Sequence, residues 1–193
     1  MKCEGRRAAL NPIAGTIAPG EGDAEAQLAS EKDRAEHTML VDLGRNDLSR
    51  VCVPGSVRVE RFMTPERYSH VTHLVSEVVG ELQEGVAPFE LLRACFPAGT
   101  VSGAPKVRAM QLISELERYR RGIYAGAVGY CLPDEQELDT CIAIRTLVLR
   151  DGVAHLQAGG GIVADSDPEA EHEECLNKLR ALETAIDLAE SEQ

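Results

Sequence analysis

Three consecutive glycines near the end of the sequence constrain the fold more than any other stretch. Gly159, Gly160 and Gly161 follow a segment typical of a strand, and Asp167-Pro168 then marks a helix start. Glycine carries no Cβ, so backbone N–H groups here stay open to close approach by an anion. The sequence therefore predicts a strand, a glycine-rich turn that can receive a carboxylate, and a helix.

The predicted C-terminal helix carries acidic side chains on one face. Glu171 and Glu174 are three residues apart and Lys178 follows four residues later, so all three share that face. Carboxylate oxygens suit Mg²⁺, which usually takes only one or two carboxylates from a protein. A solvated acidic helix explains the same run of charge. A metal site would therefore need a second acidic element.

A second acidic helix is predicted from Asp23 onward. Its apolar stripe consists of Leu28, Ala35, Met39, Leu40 and Leu43. On its charged side, Asp33 and Glu36 repeat the three-residue spacing of the C-terminal helix. The two helices together offer paired carboxylates for one ion, although a charged solvent face accounts for this run equally well.

Two further segments carry side chains suited to chemistry. His73 lies in a predicted strand over residues 68–79, where a histidine is usually half-buried and hydrogen-bonded but can also transfer protons. Thr100 lies in the glycine-bearing loop 96–106, which opens a helix at Pro105. Because a helix N-terminus favours negative charge, this loop is either an oxyanion-binding device or an ordinary helix cap.

The remaining pattern mixes strands and helices. Residues 2–10 are predicted to form a strand that ends at Asn11-Pro12. The helix after Pro105 is predicted to be amphipathic, with an apolar stripe of Val107, Met110, Leu112, Ile113 and Leu116. No internal repeat is visible, and the strand connections favour antiparallel pairing. We therefore expect an α+β fold.

Three strands are predicted after this helix, over residues 123–130, 138–149 and 153–158, as an antiparallel meander with short polar turns. Arg145 stands within the second of them, which is otherwise apolar. A buried arginine needs an anionic partner. Arg145 is therefore predicted either to form a structural ion pair or to clamp the carboxylate of a ligand.

Charge and cysteine content narrow the class of protein. The 193 residues carry 20 Lys and Arg against 32 Asp and Glu, a net charge of −12 that argues against nucleic acid or anionic membrane as the main partner. The six cysteines form no Cys-x-x-Cys pair, which favours reduced thiols over disulfides or zinc. No apolar run is long enough for a membrane helix. We expect a soluble cytoplasmic protein.

Five motifs taken together resemble the chorismate-binding enzymes. They are Ile13–Thr16, Ala35–Leu48, Arg67–His73, Phe96–Lys106 and Ala158–Ser166, in the order that the family has. The resemblance covers nearly the whole chain and implies an α+β fold of two stacked antiparallel sheets flanked by helices. It also implies that residues 1–193 are the C-terminal part of the catalytic domain, the family's glutamate general acid and tryptophan feedback site lying upstream.

The resemblance is strongest to the anthranilate-forming members of the family. It implies a Mg²⁺-dependent carbon–oxygen lyase that converts chorismate and ammonia to anthranilate and pyruvate, the first step of tryptophan biosynthesis. The ammonia would come from glutamine through a partner amidotransferase subunit. Ala14 stands where the related 4-amino-4-deoxychorismate synthases usually carry a nucleophilic lysine, which favours direct use of ammonia.

The resemblance also assigns roles residue by residue. Glu36 and Glu174 correspond to the Mg²⁺ carboxylates, with Asp33 and Glu171 in support. His73 corresponds to the catalytic proton acceptor and Thr100 to the loop threonine of the site. The substrate-binding positions correspond to Tyr124, Arg145, Gly159, Gly160, Gly161 and Lys178.

Other outcomes stay open at this point. Ile17-Ala18 replaces the arginines that usually follow the Ala-Gly-Thr motif, and the segment leading to Glu36 looks shorter than usual. An isochorismate or salicylate synthase relative would use water in place of ammonia. An inactive truncated chain, or one that serves only in protein interaction, would show none of this chemistry.

Overall fold

The structure, a computed structural model, describes residues 1–17, 31–67 and 72–191. The chain divides into two compact units, Met1–Thr100 with Gly129–Cys141 and Val101–Val128 with Ile142–Gln193. We call the first the sheet unit and the second the glycine-turn unit.

The described strands are β1 (Lys2–Glu4), β2 (Arg7–Leu10), β3 (Ile13–Ile17), β4 (Arg58–Arg67), β5 (Thr72–Glu81), β6 (Ala127–Leu132), β7 (Glu137–Ile142), β8 (Leu147–Arg150) and β9 (Val153–Leu156). The described helices are α1 (Glu31–Ser49), α2 (Pro88–Cys95), α3 (Gly99–Ser102), α4 (Lys106–Leu116) and α5 (Pro168–Ser191), and a short 3-10 helix spans Pro133–Glu135. This is the predicted α+β class, because the strand pairings within the described ranges are antiparallel and are not alternating strand–helix–strand units.

Strand β5 is the centre of a seven-stranded sheet. β4 pairs with one edge of β5, β2 and β3 share the other, and β1, β7 and β6 continue the sheet beyond β2. The apolar residues Leu74, Val75, Val78 and Val79 of β5 are all buried, which fits a strand in the interior of a sheet. The predicted strand 68–79 is confirmed from residue 72; residues 68–71 lie outside the described part.

The predicted single strand over residues 2–10 is wrong. The chain turns at Gly5, whose φ is +58°, and returns as β2 to pair with β1 in antiparallel register. Glycine adopts this left-handed backbone conformation at little cost. The predicted stop at Asn11-Pro12 is confirmed, since proline has no N–H for the ladder, and the Pro12 carbonyl instead accepts the N–H of Ser76 at 3.0 Å.

Helix α1 packs its apolar face on the sheet. Leu40, Val41 and Leu48 are buried, and Val41 and Leu48 belong to the same core cluster as Val78. Gly44 also faces the sheet, since a Cβ there would be in ordinary contact with Cδ1 of Leu10, at 3.5 Å. Burying side chains of this size stabilises the fold by about 1.5–3 kcal/mol each. The helix is confirmed from residue 31, and its predicted start at Asp23 lies outside the described residues.

A buried polar contact joins α1 to the sheet. Nε2 of His37 lies 2.6 Å from Oγ of Ser76 on β5, and the same oxygen accepts the N–H of Met63 on β4 at 2.9 Å. Both His37 and Ser76 are fully buried. Nδ1 of His37 has no hydrogen-bond partner among the described residues. Burial lowers the pKa of His37, because the charged imidazolium loses its hydration.

Helix α4 begins next to the predicted start at Pro105 but ends at Leu116, before the end that Arg120 to Gly122 suggest, and its apolar side chains are not buried. Val107 is 73% exposed and Leu116 is 76% exposed. The expectation of a core-facing stripe is therefore wrong, since no residue of α4 is buried within the described part of the chain.

The predicted three-stranded meander is also wrong. β6 and β7 belong to the seven-stranded sheet, whereas β8 and β9 form a separate antiparallel pair. The predicted strand 138–149 is interrupted between β7 and β8, where Arg145 adopts a left-handed φ of 51° that ends extended pairing. Arg145 is consequently exposed and not buried in a strand.

The cysteines agree with the prediction of reduced thiols. All six are free, and Cys3, Cys52 and Cys95 are buried. Separately, none of the helices in the described ranges combines the length and the apolar character that a membrane crossing requires.

Candidate carboxylate-binding site

The start of α5 is fixed by its own cap. The carboxylate of Asp167 accepts the N–H of Ala170 at 2.9 Å, and the Asp167 carbonyl accepts that of Glu171 at 3.0 Å. Pro168 follows directly, at a position where a proline leaves no N–H unsatisfied. The predicted helix start is confirmed, so α5 leaves the glycine turn in a defined direction.

Gly160 lies against the first turns of α5. A Cβ at Gly160 would lie 3.4 Å from Oε2 of Glu171 and 3.8 Å from Sγ of Cys175. Glu171 is only 6% exposed, which is unusual for a carboxylate and requires compensating contacts. The glycine turn is therefore backed by a buried carboxylate, a charge that would repel an anionic ligand unless a cation lay nearby.

Lys178 supplies such a cation. Its Nζ donates to the Gly159 carbonyl at 3.1 Å and lies 2.6 Å from Oε1 of Glu174, one helical turn earlier. The side chain is 24% exposed, so most of its stem is covered while the ammonium reaches the turn. The predicted shared face of Glu171, Glu174 and Lys178 thus meets the glycine segment.

Tyr124 approaches the same glycine segment through its hydroxyl. A Cβ at Gly159 would lie 3.0 Å from the Tyr124 oxygen, closer than ordinary packing allows, so only glycine fits there without movement. Burial raises the pKa of Tyr124, and this effect outweighs the opposing charge of Arg121. The phenol therefore keeps its proton at neutral pH and can donate it in a hydrogen bond to an anion.

Arg145 contacts α5 through a backbone carbonyl, whereas the sequence predicts an anionic partner for it. Its Nη1 donates to the Lys178 carbonyl at 3.1 Å.

Two backbone hydrogen bonds join the turn after Tyr124 to the segment before Arg145. The Ala125 N–H donates to the Ala143 carbonyl and the Ala143 N–H donates to the Gly126 carbonyl, both at 2.9 Å. Ala125 also has a positive φ, of 64°. Non-glycine residues in this region are strained by about 1–3 kcal/mol each, a cost often found at functional sites.

The glycine-turn unit thus brings together most of the predicted substrate-binding residues. Contacts described above connect Tyr124, Arg145, Gly159, Gly160, Glu171, Glu174 and Lys178. Gly161 follows in the chain and is exposed. Their roles toward a ligand stay predictions.

The other predicted residues lie in the sheet unit. Glu36 is half-buried on α1, His73 lies on β5 opposite Glu66 of β4, and Thr100 is exposed in the short helix α3. The backbone of Asp33 belongs to α1, and its side chain is not among the described parts. Because Glu36 and Glu174 belong to different units, their joint metal site stays a prediction.

The donor set of α5 suits the magnesium ion that the family resemblance implies. Mg²⁺ takes one or two carboxylates and completes its shell with water and substrate oxygens, so two carboxylates one helical turn apart are sufficient. Glu174 is about half exposed and Glu171 lies beside the glycine turn. Over the described ranges no group of three His, Cys, Asp or Glu side chains is arranged to hold a metal. The residues fit Mg²⁺ and do not fit a metal that needs a closed protein shell.

Sequence reasoning missed two residues at this site. Cys175 lies beside Gly160, and Arg121 lies over the ring of Tyr124. Cys175 shares the helix face of Glu171, four residues earlier, so the helical spacing could have revealed it. Arg121 precedes Gly122 and reads as an ordinary helix end, so no pattern in the sequence marks it.

The chain has an α+β fold, and within its glycine-turn unit a tyrosine, a lysine and acidic residues are grouped around a glycine turn. The chain belongs to the chorismate binding enzyme family, whose model matches residues 1–184. This confirms the resemblance inferred from the five motifs.

Individual relatives are named more narrowly. The chain is 57% identical over 199 aligned residues to anthranilate synthase component 1 of Aquifex aeolicus, covering 100% of this chain and 40% of that protein. The crystal structure of anthranilate synthase component I from Streptococcus pneumoniae matches 92% of this chain and 40% of its own, with 46% identity and a TM-score of 0.82. The menaquinone-specific isochorismate synthase from Escherichia coli matches 95% of this chain and 43% of its own, with 28% identity and a TM-score of 0.79.

The chain therefore spans about 40% of the length of the anthranilate synthase relatives it matches. The prediction that residues 1–193 form one partial catalytic domain stays a prediction.

Proposed function

We propose that this chain is the chorismate-binding part of an anthranilate synthase. The observation that carries the proposal is the meeting of the Tyr124 hydroxyl and the Lys178 ammonium at the Gly159 backbone, in a family member 57% identical to a protein of that name. The reaction would convert chorismate and ammonia to anthranilate, pyruvate and water. We further propose that the protein works in the cytoplasm.

The glycine-turn unit would bind and orient the substrate. Chorismate carries two carboxylates, and the chain is strongly acidic, so cations must be placed locally to receive them. In this proposal the Tyr124 hydroxyl, the Arg145 guanidinium and the N–H groups of Gly159 to Gly161 hold the enolpyruvyl carboxylate. Lys178 offsets the charge of Glu174 and Glu171 close to that position.

Glu36 and Glu174 would hold one Mg²⁺, supported by Asp33 and Glu171. When bound, the ion would hold the ring carboxylate and withdraw charge from the ring. In the remaining steps ammonia is the nucleophile and a side chain accepts a proton. Ammonia adds at C2 while the C4 hydroxyl leaves as water, and His73 then accepts the C2 proton as the enolpyruvyl group leaves as pyruvate. Thr100 would contribute its hydroxyl from α3. A glutamine amidotransferase partner is proposed as the source of ammonia.

The test is calorimetric binding of chorismate to the 193-residue chain with and without Mg²⁺. We expect binding that requires the ion and that weakens at least about tenfold in Glu36→Gln and in Glu174→Gln, because each variant removes a metal ligand. Glu173→Gln is the matched control, since Glu173 is the exposed neighbour of Glu174 and pairs with Arg180. Binding that is indifferent to Mg²⁺ and unchanged in both variants would end the proposal.

An isochorismate synthase activity is the second candidate. The observation that favours this activity is the structural similarity to the Escherichia coli isochorismate synthase, with a TM-score of 0.79. Water would then attack in place of ammonia. Product analysis with chorismate, with and without ammonium, separates the two: anthranilate that forms only with ammonium supports the first, and isochorismate under both conditions supports the second.

A further inference from the structure

Arg121 lies five residues beyond the end of α4, and its side chain makes several contacts at once. Its Nε lies 3.1 and 2.9 Å from the two carboxylate oxygens of Glu117, and Nη2 donates to Oε1 at 2.6 Å. Nη1 donates to the Val101 carbonyl at 2.6 Å. The guanidinium carbon lies 5.6 Å from the centroid of the Tyr124 ring. One side chain thus joins Glu117, which directly follows α4, to Val101 of α3 and to the tyrosine.

These contacts restrict the ring of Tyr124. The Tyr124 N–H donates to the Arg121 carbonyl at 3.1 Å, so the two residues also form one turn, in which Gly122 has a φ of +61°. The ring therefore has the guanidinium over one face and its hydroxyl at Gly159. A tyrosine has only two side-chain torsions, so a partner at the ring face and a neighbour at the hydroxyl fix its position.

We propose that Arg121 is a positioning residue that holds the Tyr124 hydroxyl at the Gly159 backbone and so sets the geometry in which the carboxylate of the substrate is bound. The inference rests on the proposed function for the identity of the ligand. The carboxylate of Glu117 fixes the guanidinium, and the guanidinium in turn fixes the ring.

A purely structural role for Arg121 would look different. An exposed ion pair between residues four apart in the chain contributes little to stability, and it needs neither a ring nor a distant carbonyl. Arg121 is 24% exposed on its side chain, and burial enhances both its ion pair and its cation–π contact. Its positive charge also opposes the burial effect that raises the pKa of Tyr124. Only a planar guanidinium makes the paired carboxylate bonds, the carbonyl bond and the contact with the ring face together, so lysine cannot replace it.

The experiment compares Arg121→Lys and Arg121→Gln with Arg120→Lys and Arg120→Gln in the 193-residue chain. Arg120 is the exposed neighbour, so these variants control for the loss of charge and of arginine. Three quantities are measured for each: chorismate affinity in the presence of Mg²⁺, the alkaline titration of Tyr124, and the midpoint of thermal unfolding. The chain contains no tryptophan, so tyrosinate absorbance is read directly, and Tyr124→Phe identifies the Tyr124 contribution.

We expect both Arg121 variants to bind chorismate roughly tenfold more weakly, the loss that follows when one partly desolvated cation–π contact no longer holds the ring. We expect Arg121→Gln to shift the Tyr124 titration to higher pH, whereas the Arg120 variants leave both quantities unchanged. If the Arg121 variants lower only the thermal midpoint, with affinity and Tyr124 titration as in the wild type, the positioning role is wrong.

A variant that fails to fold does not end the test. In that case Glu117→Gln, which keeps Arg121 but removes its carboxylate partner, is expected to change affinity and titration in the same direction by a smaller factor, and no change in either refutes the inference. The inference and the proposed function also fail separately. A wild-type chain without chorismate affinity contradicts the proposed function, while the Tyr124 titration still decides whether Arg121 positions the ring.

Discussion

Replacing Ser76 with alanine should destabilise the sheet unit through a residue that lies on a different element. Oγ of Ser76 lies 2.6 Å from Nε2 of His37 and accepts the N–H of Met63 at 2.9 Å. Alanine removes this oxygen, so the His37 imidazole and the Met63 N–H both lose their contact with it. A buried polar group that loses its partner costs about 1–3 kcal/mol. His37 is fully buried and the Met63 N–H is only partly buried, so the second loss costs less and we expect a total of about 2–4 kcal/mol. That is a large share of the roughly 5–15 kcal/mol that stabilises a typical domain.

The same pair predicts how stability depends on pH. Burial holds the pKa of His37 below its ordinary value of 6.5, so below that pH the unfolded chain binds a proton that the folded chain does not. Stability is therefore complete above about pH 6.5 and falls as the pH decreases toward the folded-state pKa, by at most about 1.4 kcal/mol per pH unit for this group.

Urea unfolding followed by circular dichroism measures both effects. Ser49→Ala is the matched control, because the Ser49 hydroxyl donates to the Arg45 carbonyl on the exposed side of α1 and its loss should cost no more than about 0.5 kcal/mol. His37→Gln should remove the acid dependence that belongs to this residue. If Ser76→Ala and Ser49→Ala unfold at the same urea concentration, the reasoning about the buried pair is refuted.

Three further predictions concern packing and backbone conformation. Leu48→Ala, at a fully buried position, should cost about 2–5 kcal/mol in denaturant unfolding, whereas Leu188→Ala, at a 60% exposed position, should change stability by no more than about 0.5 kcal/mol; equal effects would contradict the assigned core. Gly5→Ala should cost about 1–2 kcal/mol by the same assay, because alanine is strained at a φ of +58°, and an unchanged midpoint would mean that the hairpin turn is assigned wrongly. Gly159→Ala should weaken chorismate binding in calorimetry while leaving the chain folded. The new Cβ would lie only 3.0 Å from the Tyr124 hydroxyl oxygen and would push it away; wild-type affinity would show that this hydroxyl is not part of the site.

The parts of the fold that the sequence predicts well are those with local signals. Asp167-Pro168 begins α5 because an aspartate cap and a first-position proline act within one helical turn. The two-residue turn at Asp151-Gly152 joins β8 to β9, and both residues have the positive φ that such turns need.

The predictions that fail concern features that tertiary contacts determine. The interruption at Arg145 follows from a left-handed residue that no residue type announces, since arginine rarely adopts that conformation. The apolar stripe of α4 is periodic as predicted, but periodicity says only that a face is suited to burial and cannot say what covers it.

The residues of the candidate site also fall into those that local signals predict and those that depend on long-range contacts. The acidic face of α5 and its meeting with the glycine turn follow from helical spacing and from the short connection between the two. The approach of Tyr124 to Gly159 joins residues far apart in the sequence, and it came only from family resemblance. Arg121 was missed altogether because its role depends on a ring that packs on it in three dimensions.

The central claim is that Glu36 and Glu174 hold a single divalent ion. Binding of Mn²⁺, which accepts the same oxygen ligands as Mg²⁺ and is visible by electron paramagnetic resonance, tests it most directly. The account predicts one tightly bound ion per chain in the presence of chorismate, lost to a similar extent in Glu36→Gln, in Glu174→Gln and in the double variant, because residues that share one ion are not additive. Two sites lost independently, or wild-type binding in either single variant, would contradict it.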